Sequence, residues 1–303
     1  MSDPESRPVV VITGASSGVG LATAVAFAKS RARLVLAARD EGAGADVAAR
    51  CRVLGSEALF FPTDVSHQDA MESLRRYAVD TFGRIDVWVN CAAVLSFGRL
   101  EDTPAEILRR VIEVNVLGYI YGSKSALSQF RTQGYGTLIN VGSLLGMASE
   151  PFASAYVASK FAIRGLTSCL RQEVRDAPRI HVCAVLPAAL DTPIYQHAAN
   201  YMGRAARSIF PVHDAEKVAN AILRLSRRPK RQVIISGFGH LIAAGARFAP
   251  ALTEWAIAHI GPALQFEDKS RPPTPGNILG TTAPHGAITG GWRDYWKRLV
   301  FRK

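Results

Sequence analysis

Cysteine is scarce in this chain: Cys51, Cys91, Cys169 and Cys183 are the four among 303 residues, and no two share CxxC spacing. A disulfide scaffold needs a higher density, so free thiols in a reducing compartment are expected. The seven histidines form no HxxxH or His/Cys group, and no metal site is expected. Long apolar runs are missing too. The uncharged stretch from Thr132 to Ser149 nears spanning length, but its four glycines and several hydroxyls make it a poor membrane helix. The opening MSDPESRP carries acids and prolines where a secretory signal would have a basic and then an apolar stretch, so a cytoplasmic location is expected. No internal repeat is visible.

Acidic residues are also few: 25 Asp and Glu against 36 Lys and Arg leave a formal charge of +11. That excess favours anionic ligands such as phosphates, acidic lipid heads or negatively charged substrates. Eight of the cations are Lys, and the Arg residues are scattered rather than gathered in a stripe, which argues against nucleic acid as the partner. Hydrophobic residues at 48% and charged residues at 20% exclude a disordered or collagen-like chain.

What is present is an alternation of short β-branched runs with longer stretches of helical period, the pattern of βαβ units. Strands are expected at Val9 to Thr13, Arg33 to Ala38, Ala58 to Phe61, Asp86 to Asn90, Thr137 to Val141, Ile180 to Leu186 and Gln232 to Ser236. Continuous apolar runs such as VVVIT suit parallel strands covered on both faces, so the fold class is α/β, a doubly wound seven-stranded Rossmann sheet. Ser66 is expected to cap the helix that follows it, and Pro104 fits a first helical turn. Residues 1–236 form the catalytic domain in this reading and residues 237–303 an appended extension. The helix Leu241 to Ile260, interrupted at Pro250, is expected to pack against the core or a subunit, with a membrane interface as the alternative. From Phe266 onward no steady period is left.

The turn Thr13-Gly14-Ala15-Ser16-Ser17-Gly18-Val19-Gly20 follows the first strand and opens a helix. Its glycines allow a sharp turn and close backbone approach, and the free N–H groups of the helix end meet the charge of a pyrophosphate. About 20 residues further on, where nicotinamide enzymes distinguish their two cofactors, stands Arg39. An arginine there favours a 2′-phosphate and hence NADP; Asp40 keeps NAD open. Tyr156 and Lys160, four residues apart, share one helical face, so the ammonium can lower the pKa of the phenol and let it exchange a proton with a carbonyl or alcohol. Ser143 ends a strand 13 residues earlier, at the carboxyl edge where open α/β sheets bind ligands.

With these motifs the chain resembles the short-chain dehydrogenase/reductase family over about residues 8 to 236. TGASSGVG matches its TGxxxGxG, Asp64-Val65 its adenine-contacting pair, Asn90-Cys91-Ala92-Ala93 its NNAG turn, and Pro187 to Thr192 its PGxxxT segment. The resemblance implies a catalytic set of Asn115, Ser143, Tyr156 and Lys160. Tyr156 would be the general acid/base, and Lys160 would tune it and hold the nicotinamide ribose. Ser143 would bind the substrate oxygen, and Asn115 would hold a relay water. For the cofactor it implies Gly14, Ser16, Ser17, Gly18, Val19, Gly20, Arg39, Asp64, Val65, Asn90, Ala92, Tyr156, Lys160, Pro187 and Thr192. By family position Leu145, Met147, Leu190, Ile194, Tyr195, Met202 and Phe210 border the substrate, and their apolar character suggests a hydrophobic ketone or secondary alcohol. A homodimer or homotetramer is implied as well. Cys91, Ala93 and Ala188 depart from the family pattern, and an alanine at 188 requires a negative φ there. The alternative function is a non-catalytic NADP-binding sensor or scaffold.

Overall fold

A computed structural model describes residues 7–281 and 286–300. Seven parallel strands form the central sheet: β1 (Val9–Thr13), β2 (Arg33–Ala38), β3 (Glu57–Pro62), β4 (Val87–Asn90), β5 (Gly136–Val141), β6 (Ile180–Pro187) and β7 (Gln232–Ile235). Their spatial order is β7-β6-β5-β4-β1-β2-β3. The order reverses at β1, which pairs with β2 through Val10 and Leu34 and with β4 through Val10 and Val87. A crevice opens at such a reversal beyond the carboxyl ends of the strands, and ligands of doubly wound sheets bind there.

Helices cover both faces. Val10 and Ile12 point into one apolar layer against α1 (Gly18–Lys29), α2 (Glu41–Val53) and, further along the chain, the helix Ala215–Arg227. Val11 points into the other, closed by α3 (Gln68–Phe82), α4 (Ala105–Ile112), α5 (Gly118–Gln133) and α6 (Ser154–Glu173). All five residues of β1 are buried, which is why its sequence shows no polar alternation.

Local details depart from expectation in two places. Ser66 does not cap α3; His67 stands at that position with no side-chain cap, and the Ser66 hydroxyl donates to Asp64 Oδ1 at 2.7 Å instead. A cap would use the Ser66 oxygen as an acceptor, and that oxygen accepts from the Arg110 guanidinium at 2.5 Å instead. Pro104 precedes the first turn of α4 rather than lying in it, and its carbonyl accepts from Ile107 and Leu108. Between α4 and α5 the chain takes a π-helical turn over Glu113–Leu117 that carries Asn115.

After the helix Ala215–Arg227 (α7), β7 leads into α8 (Gly237–Phe248) and α9 (Pro250–Gln265). The stretch expected as one interrupted helix is thus a hairpin, broken where Pro250 has no N–H to donate and Ala249 leaves helical geometry at φ −141°. The remainder does not stand apart from the catalytic fold. Phe266–Ser270 pairs antiparallel with Arg204–Ala206. Asp191 accepts from the backbone N–H groups of Gly290, Trp292 and Arg293, anchoring α10 (Trp292–Val300). An anion at a helix N-terminus is favoured by the helix dipole and satisfies donors that have no intrahelical partner. Among the described residues no helix is long and apolar enough to cross a membrane, and no cluster of His, Cys, Asp or Glu suits a metal.

Candidate active site

One continuous cavity of about 350 Å³ runs along the carboxyl ends of the strands. At its phosphate end lie Gly14, Ser16, Ser17, Gly18, Val19 and Gly20. Gly14 and Gly18 have φ of +68° and +51°, a region costly for residues with a Cβ. A Cβ on Gly20 would sit 2.0 Å from the Gly14 carbonyl oxygen. The turn is therefore bare backbone packed as tightly as it can be, the surface a pyrophosphate needs, and the residues present fit a dinucleotide.

Arg39, Asp64 and Val65 line the cavity further out. The Arg39 guanidinium donates to the carbonyls of Asn277 (2.7 Å) and Ile278 (3.4 Å), so the segment beyond α9 straps across this end. The same segment reaches the glycine turn, where the Gly18 N–H donates to the Ala287 carbonyl at 2.9 Å. Asp64 is ion-paired with Arg110 and accepts from Ser66, an arrangement that holds its carboxyl below the usual range despite its burial. Ala92, Pro187 and Thr192 also line the cavity. Asn90 does not. Its side chain is buried among Trp88, Ser123 and Asn140, where it is hydrogen-bonded on both ends.

At the far end Ser143, Tyr156 and Lys160 converge. Ser143 sits just past β5, its oxygen accepting from the Leu145 N–H at 3.1 Å, and it lines the same end of the cavity as Tyr156. Tyr156 lies in the first turn of α6, and Lys160, one turn on, is 2% exposed. The Lys160 ammonium stands 5.2 Å from the centre of the Tyr156 ring and 5.6 Å from that of Tyr119, and reaches the Val141 carbonyl at 3.5 Å. Burial lowers its pKa to about 8. The phenol is not lowered as the spacing suggests: burial, then Tyr195 and Glu150, push Tyr156 above its usual range, and the Ser143 hydroxyl only partly offsets this. In the enclosed chamber desolvation outweighs the cation beside the ring.

Asn115 does not line the cavity. Its amide clamps both backbone groups of Val94, accepting from the N–H and donating to the carbonyl at 2.9 Å each, and also donates to Ser159. It thereby fixes the loop after β4 against α6. Of the substrate-side residues, Leu145, Leu190, Ile194, Tyr195 and Phe210 border the cavity, whereas Met147 and Met202 do not. Arg31 and Phe152 are the non-glycine residues with positive φ among those described, so Ala188 bears no such strain.

Sequence reasoning missed Leu95, Phe97, Gln265 and Phe238, which come to the cavity from distant segments, and Glu150. Glu150 lies on the loop between Ser143 and Tyr156; its Oε1 is buried with no hydrogen-bond partner, and burial raises its pKa to about 7. The single sequence signal was its place midway between two catalytic candidates. Above pH 7 its carboxylate opposes ionisation of Tyr156. Glu150→Gln is therefore expected to move the ionisation of the Tyr156 phenol to lower pH, read as the acidic limb of an activity–pH profile. A limb that stays in place or moves upward contradicts that coupling.

Residues 8–202 match the short chain dehydrogenase family. The chain belongs to it. An uncharacterized oxidoreductase, YxnA, of Bacillus subtilis (strain 168) is 36% identical over 97% of this chain and 85% of its own length. A 3beta-hydroxysteroid dehydrogenase of Mediterraneibacter gnavus is 33% identical over 63% of this chain and 68% of its own. Among solved structures, a short chain dehydrogenase/reductase from Burkholderia phymatum in complex with NAD superposes with a TM-score of 0.72 at 28% identity, covering 82% of this chain and 95% of that one. An alcohol dehydrogenase from Thermococcus sibiricus complexed with 5-hydroxy-NADP gives 0.67 at 27%, covering 76% and 96%. This short-chain dehydrogenase is thus an NAD(P)-dependent oxidoreductase on a Rossmann fold.

Proposed function

We propose that this dehydrogenase is NADP-dependent and interconverts an apolar ketone and its secondary alcohol, with Tyr156 as general acid/base. The observation that carries the reading is the meeting of Ser143, Tyr156 and Lys160 in the same cavity as the glycine turn, beneath walls of Leu145, Leu190, Ile194 and Tyr195. The 3beta-hydroxysteroid dehydrogenase among the relatives supports a hydrophobic substrate of this kind.

When bound, the dinucleotide supplies or accepts the hydride. The chain manages the oxygen and its proton. Ser143 and Tyr156, which line the same end of the cavity, present two hydroxyls to a carbonyl oxygen and stabilise the charge that develops on it. Tyr156, held protonated by its surroundings, donates to that oxygen. Lys160, buried and cationic below about pH 8, stabilises the phenolate left behind. Oxidation runs the same groups in reverse, and Asn115 serves by holding the Val94 loop in place. The apolar walls exclude water from the transfer.

Arg39 supports the choice of NADP, because its guanidinium lies at the end of β2 on the cavity wall. A charge-assisted contact to a 2′-phosphate contributes about 1.5–3 kcal/mol, so Arg39→Ala should weaken NADP by roughly 10- to 100-fold and barely affect NAD. The strap contacts are lost for both cofactors alike, so the ratio is the readout; equal losses would refute the assignment. The reaction itself is tested by following nicotinamide absorbance with a panel of apolar ketones and alcohols and both dinucleotides. Turnover confined to small, strongly polar carbonyls would contradict the substrate class.

A further inference from the structure

The hairpin of α8 and α9 is almost free of charge: between Gly237 and Gln265 only Arg247 and Glu254 are fully charged residues. Six of its large apolar side chains are left out of the packing. Phe238, Leu241, Phe248, Leu252, Trp255 and Ile260 are 56% to 79% exposed. These six are among fourteen large hydrophobic side chains exposed in the described residues, gathered in about a tenth of the chain. Scattered exposed leucines are ordinary in a soluble fold, but a concentration of this kind marks a contact surface.

Two features indicate what covers it. The first is the mouth of the cavity. Phe238 and Phe210, each 56% exposed, also line the cavity, and Ile242 lines it one turn after Phe238. The exposed apolar surface is therefore continuous with the substrate chamber. A second protein chain seated there would close that mouth, whereas a lipid surface would let an apolar solute pass from one hydrophobic medium into another. The second is charge. The chain carries +11, and the exposed run Arg227, Arg228, Lys230 and Arg231 lies at the start of β7, the strand that leads into the hairpin. At about 3.3 Å per residue that run is roughly 13 Å of strand away, so it acts by long-range attraction and not by contact. On the hairpin itself Arg247 lies with its guanidinium 5.5 Å from the Phe248 ring centre, an apolar stem beside an apolar ring with a charged tip.

Geometry sets the depth. Helices of 12 and 16 residues are about 18 and 24 Å long, too short to span the roughly 30 Å hydrocarbon core, and Pro250 breaks them apart. They suit lying in the interface plane, with Trp255 and the His259 ring tilted against it, centroids 4.8 Å apart, at headgroup level.

We propose that the α8–α9 hairpin docks this dehydrogenase on the surface of an anionic bilayer, placing the mouth of the substrate chamber against the lipid. Docking stands on the surface alone; only the passage of substrate through it rests on the apolar-substrate reading.

Co-sedimentation of the full chain with phosphatidylcholine vesicles, with and without phosphatidylglycerol, tests it. The wild type is expected to pellet with the anionic vesicles and to be released by high salt. The Leu252→Glu/Trp255→Glu pair should lower its partition at least tenfold while leaving turnover of a small water-soluble ketone unchanged, since neither residue lines the cavity. Absence of sedimentation, or sedimentation that survives the substitutions, overturns the docking. Equal binding to neutral vesicles overturns the part assigned to the cations. A wild type that is oligomeric by light scattering and is dissociated by the same pair identifies a second copy as the occupant and also overturns it. Turnover on the soluble ketone reports separately on the proposed reaction.

Discussion

Tyr156→Phe is expected to lower turnover at least about 100-fold, the lower range of what a positioned general acid/base contributes. The substitution removes one oxygen. It keeps the ring that faces the Lys160 ammonium at 5.2 Å and the helical turn that carries it. The glycine turn and Arg39 lie at the other end of the cavity, so affinity for the dinucleotide, read by fluorescence of the reduced cofactor, should change by no more than about twofold. A variant that keeps more than about a tenth of the wild-type rate would remove the phenol from the reaction. Loss of cofactor binding together with rate would instead mean that the hydroxyl supports the chamber and not the chemistry. Ser143 keeps its place in that variant, its oxygen still accepting from the Leu145 N–H.

Gly20→Ala should be nearly as damaging by a different route. The new methyl would lie 2.0 Å from the Gly14 carbonyl oxygen and 2.7 Å from its carbon, both backbone atoms that cannot swing aside as a side-chain tip would. Relief requires α1 to move away from the turn, which spoils the approach of backbone to pyrophosphate. Overpacking of this kind costs about 1–3 kcal/mol, so a dinucleotide KM raised roughly tenfold or more, with a melting temperature lower by several degrees, is the expected result. Gly165→Ala provides the control: nothing lies within 4 Å of a Cβ there, in the middle of α6. An alanine in a helix interior is favoured over glycine by roughly 0.5–1 kcal/mol, so that variant should keep its affinity and melt no lower. If the two behave alike, the crowding at Gly20 has no functional weight.

Much of the site was readable before any coordinates because its parts are local. A glycine demanded by a tight turn, or a tyrosine and lysine one helical turn apart, lies within a single element, and the backbone geometry follows from a few neighbouring residues. The strand positions were readable for a similar reason, since burial on both faces leaves an uninterrupted apolar run, as in β1. Ser66 shows where such reading fails: its spacing is right for a cap, but its oxygen is taken as acceptor by Arg110, 44 residues away in the chain. Asn115 shows a second limit. The spacing of a sequence does not tell that its side chain takes both backbone groups of Val94, 21 residues earlier. Glu150 shows a third, because the period of a sequence does not tell whether a loop carboxylate turns to water or into an apolar chamber.

Composition and short motifs by themselves determined the parallel sheet, the glycine turn after its first strand and the placing of a phenol and an amine one helical turn apart, because each is set by contacts within a few residues. The tertiary structure decided that Arg39 is held by carbonyls more than 230 residues away, that the last segment straps over the cofactor cavity, and that the α8–α9 face is left uncovered. Those features depend on which distant surfaces meet, and the free energy of such meetings is spread over many weak contacts that leave no local mark in the chain.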